Sequence, residues 1–254
     1  MGGSPDPIEG LNRGMLMEGA HPQGSTMGLR KRSKPYCSFD LDGTLVDLAF
    51  TDLVWHCGIP ELFARRAGMD LSQAREVVLQ EYRKVGDGAL EWYDIAYWFR
   101  YLNLPGGWEE LMEQYASQVR VYPEVPEVLG RVGERYSLVI LSNAAREFIE
   151  VEMRQGGLAG YFDLVVSATS DFGLVKKSPE FYRRICELLE TPPQRLVHVG
   201  DHWEFDYQIP RGIGITAFHL NRQGERSGPD VIQDLRTLPA LLEGGGYAEV
   251  SKEG

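Results

Sequence analysis

Apolar residues in this chain gather into five short continuous runs: Tyr36-Cys37-Ser38-Phe39, Ser137-Leu138-Val139-Ile140-Leu141, Leu164-Val165-Val166-Ser167, Arg195-Leu196-Val197-His198-Val199 and Thr216-Ala217-Phe218-His219-Leu220. Each is strand-length and lacks the polar alternation of a half-exposed strand, so each predicts a strand covered on both faces. Between them lie segments such as Phe181 to Glu190, whose apolar residues recur at helical spacing. Strand and helix in alternation predict an α/β fold, a doubly wound, Rossmann-like parallel sheet. A weaker strand around Asp230-Val231-Ile232 and a short helix from Pro239 to Leu242 close the pattern.

Residues 49–121 read differently. Amphipathic stretches rich in aromatics (Trp55, Phe63, Tyr82, Trp92, Trp98) contain no convincing strand, and Gly58-Ile59-Pro60, Gly86-Asp87-Gly88 and Pro105-Gly106-Gly107 offer helix breaks. An inserted helical domain is expected here, with most of its aromatics serving as its own core. The expected organisation is a flexible leader over 1–35, a catalytic core over 36–48 and 122–243, the helical insertion over 49–121, and a tail over 244–254.

Composition narrows the function. With 43% apolar and 25% charged residues in 254, the chain has the balance of a soluble globular protein. A formal charge of -11 argues against nucleic acid as a partner. The basic run Arg30-Lys31-Arg32-Ser33-Lys34 is read as a solvated linker. Cys37, Cys57 and Cys186 form no C-x-x-C pair, which predicts a reducing cytoplasm. No apolar run suggests a membrane span or a secretory signal.

Chemistry concentrates where strands end. Asp40-Leu41-Asp42-Gly43-Thr44 places two carboxylates two residues apart as the first strand breaks into a glycine turn, so both point out past its carboxyl end. Like charges that close need a cation or a shared proton. Ser142-Asn143 ends the second run and opens a helix, offering a hydroxyl and free backbone N–H groups suited to phosphate. The loop Gly173-Leu174-Val175-Lys176-Lys177-Ser178-Pro179 carries two lysines, either able to neutralise the acids. Val199-Gly200-Asp201-His202-Trp203-Glu204-Phe205-Asp206 delivers two more carboxylates, oxygen ligands of the kind that suit Mg²⁺.

These four motifs, in this order over residues 36 to 222, resemble the haloacid dehalogenase superfamily of aspartyl-phosphate hydrolases. The resemblance implies that Asp40 is the nucleophile and Asp42 the general acid and base. Ser142 and Asn143 would hold the transferring oxygens, and a loop lysine would stabilise the phosphoryl charge. Mg²⁺ would sit on Asp40, the backbone carbonyl of Asp42, and Asp201, with Asp206 in support. Ungapped alignment on Gly173 and Pro179 makes Lys176 the catalytic lysine, while a one-residue slip promotes Lys177; the loop departs from the family pattern of lysine, proline, any residue, proline. Dehalogenase and phosphonate-cleaving members lack an acid at the position of Asp42, so its presence implies a phosphate ester. The insertion resembles the family's first type of helical cap, and Asp47 a hinge residue.

The expected function is Mg²⁺-dependent hydrolysis of a small phosphorylated metabolite by a monomer or homodimer. A phosphomutase, or a catalytically silent binding protein, are the alternatives. Gly212-Ile213-Gly214-Ile215-Thr216-Ala217 fits a dinucleotide fingerprint but precedes its strand instead of following one. His198 and His202 have a zinc-like spacing, yet His198 lies inside a predicted strand and reads as a core histidine.

Overall fold

A computed structural model describes residues 34–244. The predicted leader and tail lie outside the described residues except for Lys34, Pro35 and Gly244. Tyr36–Phe39 forms β1, Ser137–Ser142 β2, Leu164–Ser167 β3, Leu196–Gly200 β4, Thr216–Leu220 β5 and Val231–Ile232 β6. They make one parallel six-stranded sheet in the order β3-β2-β1-β4-β5-β6. The order reverses at β1, which pairs with β2 on one side and β4 on the other, and such a switch point opens a crevice at the strands' carboxyl ends.

The continuous apolar runs have a direct cause. Every residue of β1, β2 and β4 is buried. Leu138 and Ile140 of β2 join Cys37 and Phe39 in one apolar cluster, while Val139 and Leu141 join Tyr36 in another. The period of two thus feeds two layers, and each fully buried large apolar side chain stabilises them by about 1.5–3 kcal/mol.

After β1 come helices α1 (Ala49–Leu53), α2 (Ile59–Ala67), α3 (Leu71–Val85), α4 (Ile95–Tyr101) and α5 (Trp108–Tyr115). Their apolar faces meet around Phe50, Ile59, Trp98 and Met112. Gly86 and Pro105-Gly106-Gly107 lie between helices as expected, but Gly58-Ile59-Pro60 is no break. A π-helical turn over Val54–Gly58 carries the chain from α1 straight into α2, and Pro60 falls at that junction, where the α-helical hydrogen-bond pattern is already interrupted. Gly58 is there for packing: a Cβ would lie 2.6 Å from Leu111 Cδ1.

The core continues with α6 (Val125–Arg135), α7 (Arg146–Gln155), α8 (Ala168–Phe172), α9 (Pro179–Leu188), α10 (Ile209–Gly212) and α11 (Leu238–Gly244). Helix α9 starts before the expected Phe181 because Ser178 caps it, its Oγ accepting from Phe181 N at 3.2 Å with Pro179 in the first turn. Among the described residues, no helix is long and apolar enough to cross a membrane.

Candidate active site

Asp40 leaves β1 with its N–H still donating to Val199 O at 2.9 Å, so the residue is fixed at the switch point. The next residues close into a tight turn in which Leu41 O accepts from Thr44, Leu45 and Val46. Gly43 has φ 73°, and a Cβ there would run into the Asp201 carboxylate, so both backbone freedom and space require glycine. Arg222, after β5, locks the turn from behind. It donates to Gly43 O (3.3 Å), Thr44 O (2.8 Å) and Glu124 Oε1 (2.7 Å), and stacks 3.5 Å above the centre of the Tyr122 ring. No sequence signal singled it out.

The expected lysine is corrected by one residue. Lys177, 1% exposed, places Nζ 2.5 Å from both Asp40 Oδ1 and Asp206 Oδ1 and donates to Leu141 O at 3.1 Å. Lys176 turns outward, pairs with Asp87 at 2.7 Å and lies over the Phe205 ring. The register is set by Asn143, whose Oδ1 accepts from Lys177 N at 2.8 Å and draws that residue under the β2 end. Burial alone would drive the proton off Lys177, but Asp206 and Asp40 outweigh it and hold the ammonium charged.

Asp206 is equally enclosed. Beyond Lys177, its Oδ1 meets His198 Nε2 at 3.1 Å and its Oδ2 accepts from His202 N at 3.0 Å. Burial opposes the charge, yet Lys177 and His198 together keep this carboxyl well below the usual range. His198 is fully buried in β4, as expected of a core histidine, and its Nδ1 contacts Ser38 Oγ at 2.8 Å. Burial lowers its pKa against the opposing pull of Asp206, and the ring links β1 to that carboxylate. Gly200 permits the approach, because a Cβ there would overlap the Asp206 carboxyl group.

Asp40, Asp201 and Asp206 each offer a carboxylate oxygen, all within 4.8 Å of one another. Lys177 pairs with two of them and leaves Asp201 without a cation at salt-bridge distance among the described residues. Asp201 is exposed at the crevice mouth, and partial loss of hydration there, then the charge of Asp206, push its carboxyl up to about 6. A hard divalent cation fits this oxygen-only donor set and would relieve that repulsion. Ser142 lies beside it at the β2 end, its Oγ accepting from Ala144 N at 3.0 Å, which leaves its hydroxyl proton for another acceptor.

Asp42 sits apart from this cluster, facing α7. There Glu152 is fully buried, and neither its two carboxyl oxygens nor Asp42 Oδ1 has a hydrogen-bond partner among the described residues. Burial first, and the charge of Asp42 second, raise Glu152 well above its ordinary range. Burial pushes Asp42 up to about 6, moderated by the neighbouring Glu152 carboxyl and by the charge of Lys177. The sequence motifs missed Glu152 entirely. Asp47 Oδ1 accepts from Ala49 N at 3.0 Å and so caps the entry to α1. His202 caps the turn that follows it, its Nδ1 accepting from Phe205 N at 3.2 Å.

The Asp42 shift carries a pH signature. Its folded pKa is raised from 3.8, so ionisation is penalised in the folded state, and the stability present below about pH 4 is lost as pH rises through 6. In chelator, Asp42→Asn is expected to stabilise the protein by about 1–3 kcal/mol at pH 8 and to have no effect near pH 4. Urea titrations at the two pH values check this; a pH-independent difference would place the burial penalty elsewhere.

A parallel α/β sheet with an acidic, lysine-neutralised crevice at its switch point defines the class of protein. The chain belongs to the haloacid dehalogenase-like hydrolases, whose sequence model matches residues 36–214. It is 28% identical over 164 residues to the GMP/IMP nucleotidase YrfG of Escherichia coli (strain K12), covering 64% of this chain and 72% of that one. It is also 28% identical over 170 residues to the phosphoglycolate phosphatase of Aquifex aeolicus (strain VF5), covering 64% and 74%. The crystal structure of a HAD phosphatase from Thermococcus onnurineus superposes with a TM-score of 0.73 at 27% identity, covering 83% of this chain and 98% of that one.

Proposed function

We propose that this hydrolase is a Mg²⁺-dependent phosphatase that cleaves a small phosphate monoester through an aspartyl phosphate on Asp40. The observation that carries the reading is the placement of two acids with different partners at one strand end, Asp40 with Lys177 Nζ 2.5 Å away and Asp42 turned toward Glu152 and raised to about 6. Asp40 attacks phosphorus with a carboxylate oxygen while Asp42 gives its proton to the departing ester oxygen, releasing the alcohol. Water then attacks the phosphorus of the aspartyl phosphate, Asp42 takes a proton from it, and inorganic phosphate leaves with Asp40 restored. Lys177, the Ser142 hydroxyl and Asn143 neutralise and orient the transferring oxygens.

Mg²⁺, held by Asp40, Asp201 and the Asp42 carbonyl with Asp206 behind them, would supply positive charge to the phosphoryl oxygens. The helices of 49–121 act as a cap over a core of 36–48 and 122–243, excluding water and selecting the leaving group. Similarity to a nucleotidase and a phosphoglycolate phosphatase supports ester hydrolysis, as does the acid at Asp42. Phosphate release from p-nitrophenyl phosphate is expected with Mg²⁺, to vanish in excess chelator and to return on adding Mg²⁺. Turnover undiminished by chelation overturns the metal assignment, and isomer formation from hexose phosphates without phosphate release would make the protein a mutase.

A further inference from the structure

One cavity of about 280 Å³ opens beside Asp42 and Asn143 and runs between α7 and the inserted helices. Its size lies at the lower limit of the roughly 300–1,000 Å³ usual for ligand pockets, so it suits a group of one or two rings. Trp55, Tyr82, Trp92, Tyr93 and Phe148 line it. Trp55 stacks on Phe148 with centroids 5.2 Å apart and planes 16° from parallel, and Tyr82 meets Trp55 edge-on at 6.0 Å. The Tyr82 hydroxyl is committed elsewhere, donating to Trp55 O at 3.1 Å, so this residue contributes its ring. Trp55, Trp92 and Tyr93 are only half-buried, as rings left facing an open space are.

Charge completes the description. No lysine or arginine lines the cavity; apart from the tyrosines, its titratable residues are the acid Asp42 and His56, and His56 is exposed and faces Asp52 Oδ1 at 3.9 Å. A second phosphate or a carboxylate on the leaving group would enter a largely aromatic space with no lysine or arginine to meet it. A flat uncharged ring instead gains stacking and apolar contact on several sides. From these lining residues we infer that the cavity receives the leaving group, and that the preferred substrates are phosphate monoesters of neutral alcohols bearing a planar aromatic or heteroaromatic ring close to the ester oxygen. Phosphorylated acids and diphosphates are disfavoured. The inference rests on the phosphatase reading for its chemistry, but on the cavity alone for its ring preference.

The test compares kcat/KM with Mg²⁺ for benzyl phosphate, cyclohexylmethyl phosphate and phosphoglycolate, all esters of primary alcohols. Benzyl phosphate is expected to exceed the puckered cyclohexyl analogue about tenfold and phosphoglycolate about a hundredfold. Trp55→Leu should lower the benzyl-to-phosphoglycolate ratio about tenfold. Thr51 also lines the cavity from α1 and is partly exposed, so Thr51→Lys, which adds a permanent cation without touching the core, should shift the same ratio toward phosphoglycolate. Binding of benzylphosphonate, followed by tryptophan fluorescence, reads the cavity without turnover and should weaken in Trp55→Leu. Equal or higher activity on phosphoglycolate overturns the ring preference and leaves the phosphatase reading intact. Trp55-dependent benzylphosphonate binding without hydrolysis of any ester upholds the ring preference and overturns the phosphatase reading. Absence of both binding and preference overturns the inference itself.

Discussion

Asp40→Asn is expected to reduce phosphate release from any monoester by at least about 10⁴-fold, the scale on which an enzyme loses its covalent route. An amide oxygen cannot form the acyl phosphate, and neither Asp206 nor Asp42 is placed to substitute. Asp206 has both oxygens engaged, by Lys177, His198 and His202 N, and Asp42 faces α7 and Glu152. The fold should survive. Burial already raises the Asp40 carboxyl well above its usual range, so removing its charge relieves a penalty, and Lys177 keeps Asp206 as a partner 2.5 Å away. In chelator the variant should therefore unfold at or above the wild-type temperature. The increment that Mg²⁺ adds to wild type should shrink, because one carboxylate of the three-acid cluster is gone. Turnover within tenfold of wild type would move the nucleophile to another residue.

Much of this site was legible in the sequence because chemistry and backbone share a cause. A strand buried on both faces reads as a continuous apolar run, so its end, where acids and glycines begin, is visible as a break in composition. Asp40, Ser142 and Asp201 were found that way, each immediately past or closing such a run. Register inside loops has no comparable signature. Counting from Gly173 to Pro179 treats the loop as uniform, whereas Asn143 Oδ1 binds Lys177 N and decides which lysine turns inward. Glu152 was invisible for another reason: it lies mid-helix on α7 among 37 acids in the chain, and only its packing against Asp42 sets it apart. His198 was rightly read as a core residue, but its contact with Asp206 spans eight residues across a turn that no period describes. Arg222 reaches the Gly43-Thr44 turn from 178 positions away, a link that only the sheet order creates.

The two adjacent lysines offer the sharpest contrast in the molecule. Lys177→Met should lower kcat by about 10³-fold and destabilise the protein by about 3–5 kcal/mol, because removing one partner of a buried ion cluster strands the others. Asp40 and Asp206 would lose the ammonium that now sits 2.5 Å from each, in a place only 1% exposed. Their folded pKa values would rise, so the loss in stability should be largest at alkaline pH and shrink as the acids protonate. Lys177→Arg should not restore activity, since a planar guanidinium needs more room than a closed site made for a compact ammonium provides. Lys176→Met, by contrast, removes a pair with Asp87, whose side chain is 68% exposed, and should leave stability unchanged and kcat/KM within about threefold. Measured together by phosphate release and urea unfolding at pH 6 and pH 8, the pair separates charge in the crevice from charge on the surface. The reverse ranking would mean that the loop takes a different register when substrate is bound.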